Sequence, residues 1–190
     1  MTIGKHQCHE AVGTDLPEAI RIGLDEAFTA LEESFHDLSD AQAAEFAIEG
    51  RNNIAWIVMH CLQNLDHYAN HAPTDDQPRP RNAIAHHDRY DLWQAPPDRR
   101  PKAGDPFPTV ADMLDKLNAV RDAAMAILED RGGANVTRST DWHHSGRSVV
   151  ADAYMRTIYH TMAHVRQVWA LRGVMGRVDV DRQWPRQHWA

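Results

Sequence analysis

What this chain of 190 residues has little of narrows its nature quickly. It holds two cysteines, Cys8 and Cys61, too few for a disulfide framework. None is needed, because a chain of this length buries roughly two thirds or more of the surface its unfolded form exposes. No charged and then apolar leader opens the sequence, so the expected setting is reduced and cytoplasmic. No run approaches the roughly 18–20 consecutive apolar residues that span a bilayer, which argues against a membrane partner. Basic residues are outnumbered, 20 against 27 acidic, for a net charge of -7. That argues against a nucleic-acid partner, because affinity for phosphates comes from clustered Lys and Arg. Strand-like alternation is missing too, and eight of the ten prolines are confined between Pro73 and Pro108.

What is present is helical periodicity, in four segments. From Leu16 onward Leu16, Ile20, Leu24, Phe28, Leu31, Phe35 and Leu38 recur at three- and four-residue spacing, with acids between them. Asp15 is placed to cap this helix and Pro17 sits in its first turn. A second helix runs from about Asn53 to Asn70, with Ile54, Ile57, Val58, Cys61, Leu65 and Tyr68 on one face, and Asp40 to Gly50 adds a short helical lead-in. The third covers about Thr109 to Asp130, and Gly132 and Gly133 are expected to end it. The fourth spans about Ser148 to Arg172, striped by Val150, Tyr154, Ile158, Met162, Val165 and Trp169, with Gly173 as its stop.

Four long amphipathic helices predict an all-α four-helix bundle, one domain over residues 1–176 with a tail from 177 to 190. The Pro-rich connection, 73–108, excludes a regular helix and is too long for an ordinary link. Its length permits an overhand crossing, and His86, His87, Tyr90 and Trp93 favour a loop that packs down. Trp184 and Trp189 give the tail something to dock with. Charge is uneven along the chain: residues 1–130 carry 11 basic and 23 acidic side chains, whereas 131–190 carry 9 arginines and 4 aspartates. Either acidic and basic helices lie side by side, or some of Arg147, Arg156 and Arg166 hold an anionic ligand.

The chemistry-bearing feature is a set of three histidines. His160 and His164 are four apart and project from one side of the fourth helix, about a turn from each other, while His60 lies in the second. If the helices bring them together, three nitrogens with an open position form the ligand set of catalytic zinc and related metals. On a helical wheel His60 falls about 120° from the centre of its helix's apolar arc, and His160 and His164 flank theirs. Such residues either meet in the groove between two helices or face water, and the periodicity allows both. Other candidates are His6, Cys8 and His9 at the N-terminus, His143 and His144 before the fourth helix, and His67 with His71 in the wheel sector of His60. Cys61 points with the apolar face and reads as a small core residue.

The segment Asn53-Ile-Ala-Trp-Ile-Val-Met-His60, followed a hundred residues later by His160-Thr-Met-Ala-His164-Val-Arg-Gln-Val-Trp-Ala-Leu-Arg-Gly173, resembles the DinB-like (DinB/YfiT) superfamily of metalloenzymes. The resemblance covers about Leu16 to Gly176, including helix count and order. It implies that His60, His160 and His164 bind a divalent metal, nickel or zinc, with water in the remaining positions, and that the protein is a homodimer. The Pro-rich stretch looks longer than the corresponding connection in many relatives, and the last fourteen residues look like an addition.

Imidazole ligands are usually oriented by a group that accepts their other N–H. Asn64, one turn after His60, and Asp152, two turns before His160, are available in sequence. A divalent ion on three neutral imidazoles lowers the pKa of a bound water or thiol. Relatives in the family that use a low-molecular-weight thiol make a metal-dependent thiol transferase the leading expectation, acting on a small-molecule substrate. Arg156 and Arg166 are then candidates for holding the thiol's carboxylates. Metal-assisted hydrolysis uses the same ligands, and a non-catalytic dimeric metal-binding or scaffold protein is the competing class, favoured by the lack of an obvious general base.

Overall fold

The computed structural model describes residues 15–74, 83–84, 100–140 and 148–176. The N-terminal His6, Cys8 and His9, the loop residues His86, His87, Tyr90 and Trp93, His143, His144, Arg147 and the tail tryptophans lie outside them. The described chain is all-α apart from one small pairing. Helix α1 is Leu16–Phe35, and the short α2 is Asp40–Ala44. Helix α3, Ile54–Leu65, runs on through a π-helical turn, Asp66–His71, and a 3-10 turn, Ala72–Thr74. Helix α4 is Val110–Val136 and α5 is Val150–Val174. Strands β1, Ser139–Thr140, and β2, Ser148–Val149, pair antiparallel just before α5, a feature too short to leave an alternating pattern in the sequence.

Helix starts follow their capping chemistry. The Asp15 carboxylate accepts from the Glu18 amide at 3.0 Å, with Pro17 inside the first turn. Asn53 accepts from the Trp56 amide at 2.9 Å and donates to the Ala44 carbonyl at 2.9 Å, tying α3 to α2. Asp40, in the first turn of α2, accepts from the Val110 amide at 2.7 Å and so pins the start of α4.

Two helix ends differ from expectation. Helix α4 does not stop at Gly132-Gly133 but continues to Val136. Two interior glycines cost about 1 kcal/mol each against alanine. That cost is outweighed by contacts made further along the chain, since Val136 is buried in the core and Arg138 donates to the Ala72 and Pro73 carbonyls at 3.3 and 3.2 Å. Helix α5 runs past Gly173 to Val174, with Met175 as its C-cap and Gly176 just beyond, whose φ of 64° is the left-handed conformation that glycine adopts without strain.

Helix α1 packs against α4 and α5, and α3 packs against the same two. A single core joins them, with Phe28, Phe35, Leu62, Met113, Leu117 and Tyr154 among its fully buried side chains. Gly23 lets α1 and α5 approach closely, since a Cβ there would stand 3.1 Å from Ile158 Cδ1. None of the helices described is long and apolar enough to cross a membrane.

The far ends of α1 and α5 are locked by Arg172, itself buried. Its guanidinium takes Asp37 with both nitrogens, at 2.6 and 2.9 Å, and donates to the Ser34 carbonyl at 3.0 Å. The bidentate bond from Arg172 also holds the Asp37 carboxyl below its ordinary range. Replacing Arg172 with Leu strands a buried carbonyl and is expected to cost about 2–3 kcal/mol in a denaturant titration. Asp37→Asn, at the half-exposed partner, is expected to cost under about 1 kcal/mol.

Candidate metal centre

Helix α3 is enclosed on nearly all sides. Every residue from Ile54 to Leu65 is buried except His60 and Asn64, which are half-buried. These two lie one turn apart and so mark the single edge of α3 that is not sealed by its neighbours. Helix α5 lies along that edge with His160 and His164 half-buried on its facing side. The two helices run antiparallel here: His60 meets His160 and His164, whereas Tyr68, further along the same chain, meets Arg156, earlier on α5.

The three imidazoles converge. His60 Nε2 and His160 Nε2 are 3.0 Å apart, the His60 ring lies 4.8 Å from both partner rings, and the His160 and His164 rings are 4.5 Å apart. One ligating atom from each falls within 4.8 Å of the other two. Two nitrogens about 2.0–2.1 Å from a shared ion stand about 2.9 Å from each other at a right angle and about 3.3 Å at the tetrahedral angle. The observed pair fits that interval, and the three histidines together could hold a metal ion.

The surroundings hold these rings in ligand form. His164 Nδ1 lies 2.8 Å from the Gln167 side-chain oxygen, an atom that only accepts, so Nδ1 carries the proton and Nε2 keeps its lone pair. Trp56, one turn before His60, stacks on it with centroids 4.9 Å apart and planes 11° apart, and Arg100 lies over the Trp56 ring at 4.8 Å. Burial, then the neighbouring His164, His60 and Arg156, pushes the His160 pKa down to about 3. Burial also lowers that of His164, partly offset by its bond to Gln167. Both rings are therefore neutral at physiological pH, as metal ligands must be.

The positioning groups are not those expected from spacing. Asn64 donates to the His60 carbonyl at 2.9 Å, and Asp152 accepts from the Val149 amide at 3.0 Å, so each serves its own helix rather than an imidazole. Gln167 and Trp56 take that place, and both stand within a turn of a candidate ligand in the sequence. Arg100 carries no sequence signal, because it reaches the site from the far end of the Pro-rich connection. Arg156 and Arg166 are both exposed; Arg156, one turn before His160, lies on the histidine stripe of α5, whereas Arg166, two residues after His164, is about 200° round the helix from it. His67 and His71 stack at 5.3 Å in the π-helical turn, away from the triad, and Cys61 is wholly buried with its thiol pKa pushed up by desolvation.

The sequence model of the DinB superfamily matches residues 24–168. The span begins inside α1 and ends inside α5, taking in all three histidines. The chain belongs to the DinB superfamily. Comparisons with curated proteins and with solved structures returned no match.

These histidines also make the stability of the metal-free protein depend on pH. The unfolded chain takes up protons at His160 and His164 near the ordinary imidazole pKa of about 6.5, and the folded chain resists them to lower pH. Stability is therefore expected to be flat above about pH 7 and to fall as pH drops from about 6.5 towards 3. Urea midpoints taken at successive pH values should show this slope, and His160→Gln should flatten it.

Proposed function

We propose that this protein is a divalent-metal enzyme of the DinB superfamily in which His60, His160 and His164 hold nickel or zinc and a low-molecular-weight thiol is transferred to, or used upon, a small electrophile. The observation that carries this reading is the convergence of three imidazoles on the one unsealed edge of a buried helix. When bound, the ion would supply a Lewis acid that lowers the pKa of a group occupying its open position.

The chain's own residues define what else the site offers. Gln167 fixes the His164 tautomer, and Trp56 orients the His60 ring. Among the described residues, the carboxylates considered for a general base are engaged elsewhere: Asp66 is buried and accepts from Asn70 and from the Ala83 amide, and Asp152 bonds the Val149 amide. This favours a thiol over water as the reacting group. A free thiol has a pKa of about 8.5 against about 15.7 for water, so it ionises with far less help. Hydrolysis is the weaker reading for that reason.

We also propose a homodimer. Helices α1 and α5, which pack together, expose Ile22, Tyr159 and Met162, with Tyr159 67 % accessible. Light scattering on a sizing column is expected to give twice the chain mass, and Tyr159→Glu is expected to shift it towards the monomer; a wild-type monomer rejects the dimer.

For the metal, untagged protein analysed by mass spectrometry should carry one tight equivalent, lost in both His160→Ala and His164→Ala. Trace metal unchanged by either substitution leaves only a helical scaffold. For the chemistry, the loaded protein should consume a cellular thiol in the presence of a chromogenic electrophile, at a rate reduced at least ~100-fold in His60→Ala. Metal retained without thiol consumption points to the non-catalytic metal-binding class.

A further inference from the structure

A buried hydroxyl on a helix commonly satisfies itself on the backbone carbonyl three or four residues back. Ser34 and Thr74 do so, donating to the Leu31 and Asn70 carbonyls at 2.7 Å each. Thr157 and Thr161 of α5 do not. Both are wholly buried, and neither Oγ1 has a hydrogen-bond partner among the described residues. A third orphan stands beside them, since His160 Nδ1 is also buried and without a partner there.

Sequence spacing gathers these three atoms. Thr157 lies three residues before His160 and four before Thr161, and positions three and four apart on a helix are neighbours, with Cβ atoms about 5–6 Å from each other. On the wheel of α5, Thr157 falls about 60° and Thr161 about 100° from His160, both towards the arc that buries Val150, Val165 and Val168. The two hydroxyls thus back the imidazole from the core side. Native interiors rarely leave such groups unpaired, because the lost hydration is not recovered.

The other ring nitrogen decides what His160 Nδ1 needs. His160 Nε2 stands 3.0 Å from His60 Nε2. If Nε2 offers its lone pair there, the single proton of the neutral ring sits on Nδ1, which is then a donor in want of an acceptor. His164 has such an acceptor in Gln167. For His160 the buried hydroxyls beside it are those of Thr157 and Thr161. Three otherwise unsatisfied polar atoms is also the number that a buried water typically engages.

We propose that one ordered water is held by His160 Nδ1, Thr157 Oγ1 and Thr161 Oγ1, accepting the Nδ1 proton and donating to both hydroxyl oxygens, and that Thr157 is thereby the positioning residue of His160. The bridge keeps Nε2 as the lone-pair atom that faces His60. This deepens the metal-enzyme reading: the tautomer is set with or without an ion, and the effect on metal affinity alone rests on that reading.

Two measurements test it. Long-range nitrogen–proton NMR of histidine-labelled, metal-free protein reads the His160 tautomer, with His160→Gln assigning the signal, and competition with a chromophoric chelator reads zinc affinity. The Nδ1–H form is expected in the wild type and in Thr157→Ser, which keeps the hydroxyl, and a shift towards the Nε2–H form is expected in the isosteric Thr157→Val. Zinc affinity should fall roughly 10–100-fold in Thr157→Val, fall less in Thr161→Val and be largely kept in Thr157→Ser. An Nε2–H tautomer in the wild type overturns the proposal, even should valine at 157 prevent folding. An unmoved tautomer and undiminished zinc affinity in Thr157→Val overturn it too, and leave the metal reading intact. If the wild type takes up no zinc but its tautomer still switches in Thr157→Val, the bridge stands and the metal reading falls.

Discussion

The near-total burial of α3 is the constraint on which the site depends. A helix with one exposed face can rotate by several tens of degrees and still keep its apolar stripe inside. One that is covered on almost every side has its rotation set by close packing of side chains, where a change of a single methylene is felt. With Trp56, Ile57, Val58, Met59, Cys61 and Leu62 all placed in the core, the orientation of His60 is fixed by the residues around it. The imidazole does not select its position; the hydrophobic neighbours of α3 leave it no other.

The two partner histidines are fixed by a different means. Helix α5 is amphipathic, and its rotation is governed by Val150, Tyr154, Thr157, Val165 and Val168 on the buried side and by Arg172, which anchors the far end to Asp37 and Ser34. Two helices are thus locked independently, and three nitrogens meet where they cross. The π-helical turn beyond His60 also packs against α5, with His67, Tyr68 and His71 half-buried.

Much of this architecture is legible in the residues alone. The apolar stripes of the long helices, the capping of α1 by Asp15 and Pro17, and the spacing of His160 from His164 all carry their meaning in a local window of sequence, where turn geometry and side-chain direction act. A helical wheel leaves His60 ambiguous because it presumes a half-buried helix with one apolar arc, whereas α3 is buried around most of its circumference. The features that are not legible depend on contacts distant in sequence or on competition from the backbone. Val136 and Arg138 draw α4 past two glycines, Arg100 reaches Trp56 across the Pro-rich connection, and Asn64 and Asp152 turn to backbone partners on their own helices.

Cys61 is the immediate neighbour of His60, yet it is turned about 100° round the helix into the core, with no accessible surface. Alkylating reagents and oxidants meet such a sulfur only when the helices part. Its labelling rate therefore counts openings of the whole assembly, which gives the folded protein a native clock for its own unravelling a single residue away from its chemistry.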